Sequence, residues 1–235
     1  MKVLVIPDIH LKPWIFERAS EHLCNKIADS AVCLMDIADD WNRETDIELY
    51  KETYDAAIDF AKKYPETMWC FGNHDICYLI NQRESGYSPY AAYTVTKKLH
   101  ELEDALVAGN EIKIIHKIDN VIFCHGGLAD VFVKYCVEDD IYDDPEKVIE
   151  YINNMPKAEL WNQYSPIWVR PQYDPYTMYK ADQLLQVVGH TPTDIAFQNR
   201  NVISCDAFST YRSGKSIGDN KFVVIDTKTW EWETV

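Results

Sequence analysis

The chain has 235 residues, 38 acidic against 23 basic side chains, and a formal net charge of −15. That balance excludes broad contact with a phosphate backbone, which needs a basic face, so no nucleic-acid duplex is expected as a partner. With 47% hydrophobic residues and no apolar run of about 18, the expectation is one globular domain over residues 1–235 that does not enter a membrane.

The opening segment reads as a strand over 2–7 and carries no signal-peptide pattern. Trp14, Ala19, Leu23 and Ile27 then recur at helical spacing and predict a helix over 14–29, followed by a second strand at 31–35. Leu49, Tyr54, Ala57 and Phe60 mark a helix over 45–63 that Pro65 stops. A third strand at 67–71 leads into helices at 75–82 and 90–107. Strands at 111–118 and 120–125 follow, split by a hairpin turn at Asp119-Asn120. The acidic run 138–152 predicts a solvated helix from Asp144-Pro145, since proline is favoured at the first helical position. Residues 155–180 are rich in aromatics and proline and read as irregular, packing over the sheets and bordering the site. With the acidic run they form a cap-like insertion over about 137–183. Strands at 185–189, 201–204, 221–226 and 229–234 complete an α/β chain, for which two stacked mixed β-sheets flanked by helices are expected. The seven cysteines form no CxxC pair, and three lie in strand-like runs, which fits buried reduced thiols and a cytoplasmic location.

Five of the apolar runs end in metal-type ligands. They read LVIPDIH at 4–10, VCLMDIADD at 32–40, MWCFGNHD at 68–75, VIFCHGG at 121–127 and LQVVGH at 185–190. Ligands of α/β sheets sit outside the carboxyl ends of strands. Asp8, His10, Asp36, Asp39, Asn73, His74, His125 and His190 are therefore expected on one rim. Asp8 and His10 are two apart, so an extended segment presents them on one face. Oxygen and imidazole donors without thiolate suit a hard-to-borderline divalent ion: Mn, Fe or Zn. A carboxylate at Asp36 can bridge two such ions about 3.5–4 Å apart. His22, His100 and His116 lack ligand spacing and read as structural. Asp75 reads as a helix cap or a support for the ligands, and Asp206 as a possible support after the 201–204 strand.

The ordered blocks Asp8-x-His10, Asp36-x-x-Asp39, Gly72-Asn73-His74-Asp75, His125-Gly126-Gly127-Leu128 and Gly189-His190 resemble those of the calcineurin-like metallophosphoesterases. The His-Gly-Gly-Leu block is similar to the phosphoprotein-phosphatase-like branch of bacterial and phage enzymes. The resemblance implies an α-β-β-α sandwich with two divalent ions. Asp8 and His10 bind the first ion, Asp36 bridges, and Asn73, His125 and His190 bind the second. It further implies His74 as the general acid, oriented by Asp39, with Asn73 also near the substrate. The implied activity is hydrolysis of a phosphate ester by activated water, with a phosphomonoester favoured and a phosphorylated small molecule, nucleotide or phosphoprotein as substrate. A diester or dinucleoside polyphosphate is the alternative, and a non-catalytic scaffold the second. Three positions depart from the family pattern. Met35 stands where glycine is usual, Pro7 likewise, and Asp40 replaces a phosphate-gripping arginine. Arg170 is the preferred substitute, because a guanidinium matches phosphate with two prongs, and Arg43 the other.

Overall fold

The computed structural model describes residues 1–138, 140–173 and 176–235, so Asp139 of the acidic run and Asp174-Pro175 of the aromatic segment lie outside the described residues. In chain order the elements are β1 (Lys2–Ile6), α1 (Trp14–Cys24), β2 (Ser30–Cys33), α2 (Ile47–Lys63), β3 (Met68–Trp69), α3 (Asn73–Leu79), α4 (Ala92–Ala105) and β4 (Ile115–Ile118). They continue with β5 (Val121–Cys124), α5 (Asp130–Cys136), α6 (Pro145–Asn153), β6 (Leu185–Val188), β7 (Phe197–Asn199), β8 (Val202–Ser204), β9 (Val223–Asp226) and β10 (Trp232–Thr234).

Two five-stranded mixed sheets result, ordered β10-β9-β1-β2-β3 and β4-β5-β6-β8-β7. In each sheet three strands run parallel (β1, β2 and β3; β5, β6 and β8); β9 and β10 add antiparallel pairings beside β1, and β4 and β7 are the antiparallel edges of the second sheet. Period-two alternation makes the sandwich. Val3, Val5, Val32, Leu34, Val121, Phe123, Leu185, Val187 and Ile203 face one another between the sheets. Leu4, Ile6, Cys33, Ile122, Cys124 and Val188 face outward, in one core with apolar helix residues such as Phe16, Tyr54, Leu99 and Val148. Both faces of each sheet are thus dry, which is why the central strands read as continuous apolar runs.

The β3 and β4 edges join the sheets. Lys113 N–H donates to the Trp69 carbonyl at 2.9 Å, and Phe71 N–H donates to Lys113 at 2.8 Å. His116 adds a bond from Nε2 to the same Trp69 carbonyl at 3.0 Å.

Several boundaries differ from expectation. The first helix ends at Cys24 rather than 29, because Lys26 turns left-handed with φ 56° and breaks the ladder. The expected strand 111–118 begins only at Ile115, since Lys113 pairs instead with Cys70. The strand β7 and the short helix α5 were not anticipated; Phe197-Gln198-Asn199 is polar and mostly exposed, so it lacks the alternation that marks a strand. Helix α6 does start at Pro145, with Asp144 accepting from Glu146 N–H and Lys147 N–H. Helix α2 is capped likewise by Asp46.

His116 gives the fold an acid sensitivity. Burial lowers its pKa to about 4, opposed by the Trp69 carbonyl and reinforced by Lys113. An unfolded-chain histidine titrates near 6.5. Between those values the unfolded state binds a proton that the folded ring refuses, so stability falls as pH drops through that window and is unaffected above it. Denaturant titrations at pH 7 and pH 4.5 should therefore show His116→Gln losing less stability on acidification than wild type, by about 2 kcal/mol.

Candidate metal centre

The parallel strands deliver their following residues to one rim. Beyond β1 and β2 the chain continues side by side: Ile9 N–H donates to Met35 at 3.0 Å, His10 N–H to Asp36 at 2.8 Å, and Leu11 N–H to Ile37 at 3.1 Å. Two donor groups form there, Asp8 with His10 and Asp36, and Asp36 with His125 and His190. Within each group the ligand atoms lie within 4.8 Å of one another. Asp36 is common to both. All these side chains are buried except His10, which is partly exposed.

The chemistry of the donors decides what fits between them. His125 Nδ1 faces the Leu34 carbonyl at 3.1 Å and so carries its proton there. Its Nε2 lone pair then points at Asn73 Oδ1 (3.0 Å), His190 Nδ1 (3.1 Å) and Asp36 Oδ2 (3.1 Å). His10 repeats the pattern: Nδ1 faces the Asp39 carbonyl at 2.9 Å, leaving Nε2 towards Asp8 and Asp36 at 3.9 and 4.0 Å. Acceptors crowded against acceptors out of water repel unless positive charge lies among them. The local electrostatics agree. Burial disfavours charge on His125, yet Asp36 and then Asp8 outweigh it and raise the ring to about 9. Burial, then Asp206, pushes the Asp8 carboxyl well up. Burial, then His125 and Arg170, holds His190 far down and neutral, as a ligand must be. The residues fit a pair of divalent cations.

Beside the donors, His74 Nδ1 meets Asp39 Oδ2 at 2.9 Å. Burial opposes protonation of His74, but Asp36 and Asp39 raise it to about 9. Asp39 is fixed by two phenols, Tyr50 at 2.8 Å and Tyr78 at 2.5 Å. Asp75 accepts from Asp36 N–H (2.9 Å), Ile37 N–H (3.1 Å) and Gly72 N–H (3.1 Å), and so ties the turn after β2 to the start of α3. Asp206 binds Ser209 rather than a donor residue, at 2.8 Å through the hydroxyl.

A cavity of about 280 Å³ opens over this floor, lined by His10, Asp36, Asn73, His74 and His190 below and by Arg170, Trp41, Tyr211 and Arg212 on its walls. Arg170 donates to the His190 carbonyl at 2.8 Å and to Thr191 Oγ1 at 3.2 Å. Arg43 corrects the sequence expectation. Its side chain is 56% exposed and pairs at 3.5 Å with Asp46, the cap of α2, so it lies outside the cavity lining.

A family model for calcineurin-like phosphoesterases matches residues 1–219. The chain belongs to that family. It is a metal-dependent phosphoester hydrolase with no helix long and apolar enough to cross a membrane among the described residues. Solved structures share the fold. A cold-active protein-tyrosine phosphatase from a psychrophilic Shewanella species is 18% identical, with a TM-score of 0.54 over 99% of this chain and 80% of that one. A hypothetical protein from Pyrococcus horikoshii is 14% identical, with a TM-score of 0.52 over 100% of this chain and 86% of that one. Among curated proteins, none matches the chain.

Two glycines of this phosphoesterase are required for space. A Cβ on Gly72 would stand 1.9 Å from Asp36 Oδ1, and one on Gly189 2.1 Å from Asp8 Oδ1. Neither has a positive φ, so neither serves a left-handed turn; each makes room for a carboxylate. Met35 is the reverse case. Its φ of 55° explains why glycine is usual there, and its fully buried side chain offsets the strain. Tyr50, Tyr78 and Arg212 were missed. The signal for the tyrosines was spacing: Tyr78 lies one turn after His74, and Tyr50 one turn before Tyr54, whose hydroxyl faces Asp75 at 3.5 Å.

Gly189→Ala and Gly72→Ala are expected to weaken binding of divalent cations about 10- to 100-fold, as displaced ligand supports do, while the helical circular-dichroism signal persists. Stripping the metals should lower the melting temperature of wild type and barely move that of either variant. Isothermal titration with Mn²⁺ and thermal scans check both.

Proposed function

We propose that this phosphoesterase is a phosphomonoesterase holding one divalent ion with Asp8, His10 and Asp36 and a second with Asp36, Asn73, His125 and His190. The single observation that carries the reading is the His74–Asp39 pair at 2.9 Å on the cavity wall, directly beside the donor cluster. A bound pair of divalent cations supplies Lewis-acid charge and lowers the pKa of a water nucleophile.

The protein's own residues do the rest. Asp39 holds His74 through Nδ1, so Nε2 carries the proton given to the leaving oxygen. The same carboxylate, with Asp36, keeps that imidazole protonated near neutral pH. Arg170, on the wall next to His190, supplies a further cation for the dianionic phosphoryl group of a monoester. Trp168 packs edge-on against His190 at 5.7 Å and Trp161 against Trp168 at 4.9 Å, so the aromatic part of the 137–183 insertion borders the ligand set. The name of the Shewanella phosphatase fits the monoester reading. The native metal is read as Mn, Fe or Zn from the donor set. Free cysteines, five of them buried, suit a reducing cytoplasm.

Leaving-group dependence tests the acid role. An alkoxide leaves poorly without a proton, whereas p-nitrophenolate hardly needs one. His74→Ala should lose about 10²-fold or more in kcat on an alkyl phosphate but far less on p-nitrophenyl phosphate, and Asp39→Asn should follow in the same direction. Equal losses on both substrates would remove His74 from the acid role. The monoester preference is checked separately: bis-p-nitrophenyl phosphate should give a kcat/KM at least about tenfold below that of p-nitrophenyl phosphate, a transition-state difference of about 1.4 kcal/mol.

A further inference from the structure

Asp40 occupies the position at which the family resemblance calls for a phosphate-gripping arginine, and the structure gives it a different task. Its Oδ2 pairs with Lys12 Nζ at 3.4 Å, and that buried amine also donates to the His10 carbonyl at 3.0 Å. Its Oδ1 accepts from Thr210 Oγ1 at 3.1 Å and from Trp41 N–H at 2.8 Å. The next two residues reach the same segment. Trp41 Nε1 donates to the Thr210 carbonyl and Asn42 Nδ2 to the Arg212 carbonyl, both at 3.1 Å.

The segment so held is a small reversal over 209–217. Ile217 N–H donates to Ser209 at 2.9 Å, and Tyr211 N–H to Lys215 at 2.8 Å. Its base is fixed where Asp206 accepts from Ser209. Three consecutive residues after β2 therefore build one wall of the cavity. That wall presents Trp41, 44% exposed, and Tyr211, 54% exposed, with apolar Pro192 and Ile217 alongside. A phosphoryl group needs none of these surfaces, since the floor and Arg170 serve it. They face whatever is esterified to the phosphate. Trp41 is held by its indole N–H and Tyr211 by its backbone, and both rings stay in water; such surfaces gain by being covered, and their faces match another flat ring.

We propose that Trp41 and Tyr211 select phosphomonoesters whose leaving group carries an aromatic ring, and that Asp40 is the positioning residue that holds this wall. The proposal rests on the monoesterase reading above. Asp40 has thus exchanged a grip on the phosphate for a grip on the loop that reads the leaving group.

Benzyl phosphate and cyclohexylmethyl phosphate make the test, because both release a primary alcohol of similar reach and differ in the ring face. In wild type, kcat/KM should favour the benzyl ester by about fivefold. Trp41→Ala and Tyr211→Ala should each bring the ratio towards one, while Trp41→Phe keeps most of it. Asp40→Ala should reduce the ratio through a raised KM for the benzyl ester more than through kcat. Turnover of both esters at a ratio near one in wild type, or a ratio that survives both alanine variants, overturns the proposal and leaves the monoesterase reading standing. No turnover of either ester, alongside hydrolysis of a diester, overturns both.

Discussion

Every part of this structure answers to the repulsion among buried acceptors around Asp36. Two imidazole lone pairs, an amide oxygen and carboxylates converge at the buried floor of the cavity. Such an arrangement is stable only with cations among its members. The protein must therefore hold mutually repelling groups in place against their own electrostatics, and much of the fold is the apparatus for doing so. The parallel strands β1, β2, β3, β5 and β6 aim the ligands, and the dry layers on both faces of each sheet make those strands too rigid to splay.

The backbone around the ligands is held in conformations it would not choose. His10, Met35, Asp36, Asp39 and His190 all have left-handed φ, from 42° to 64°. Each such residue costs on the order of 1 kcal/mol or more. The surrounding structure enforces them. Asp75 accepts from three backbone amides at once, and Asp8 accepts from His190 N–H at 3.1 Å, so one ligand's backbone is held by another ligand's carboxylate. Asp36 in turn accepts from His74 N–H at 2.9 Å, which ties His74 to the carboxylate common to both donor groups. The two donor groups and the His74–Asp39 pair are thus one mechanical unit.

Charge is apportioned with the same economy. Net charge is strongly negative, yet the cavity that must admit a phosphate carries Arg170 and Arg212 on its walls as well as the cation-demanding floor. Asp39 is kept from competing for metal by two tyrosine hydroxyls and His74. Asp40, one residue on, is satisfied by Lys12 and Thr210. Three acidic side chains within five residues, Asp36, Asp39 and Asp40, therefore do three different things, and their partners alone distinguish them.

Much of this was legible in the sequence because strand-end ligands obey local rules. Apolar runs of four or five residues name buried strands, and five ordered blocks name the candidate donor residues together with the α-β-β-α architecture; Asp8 and His10 do meet, but beyond the end of β1 and with His10 left-handed rather than by the strand period. Asp144-Pro145 and Pro65 marked helix boundaries for equally local reasons. What the sequence left open depends on contacts distant in the chain. The sequence preferred Arg170 to Arg43 as a clamp but could place neither; Arg43 pairs with the cap of α2, and the backbone of His190 holds Arg170 at the cavity. Gly72 and Gly189 stand within the ordered blocks, but the space they leave is set by carboxylates 36 and 181 positions away. Tyr50 and Tyr78 carry only the weak signal of one-turn spacing and the 209–217 wall carries none, because a hydroxyl aimed at Asp39 or a loop bonded to Asp40 exists only once the elements pack. The sequence by itself named the candidate donor residues and the phosphoesterase family. Tertiary structure alone decided which side chains support them and what the cavity offers a leaving group, because those depend on distances between elements that no local pattern encodes.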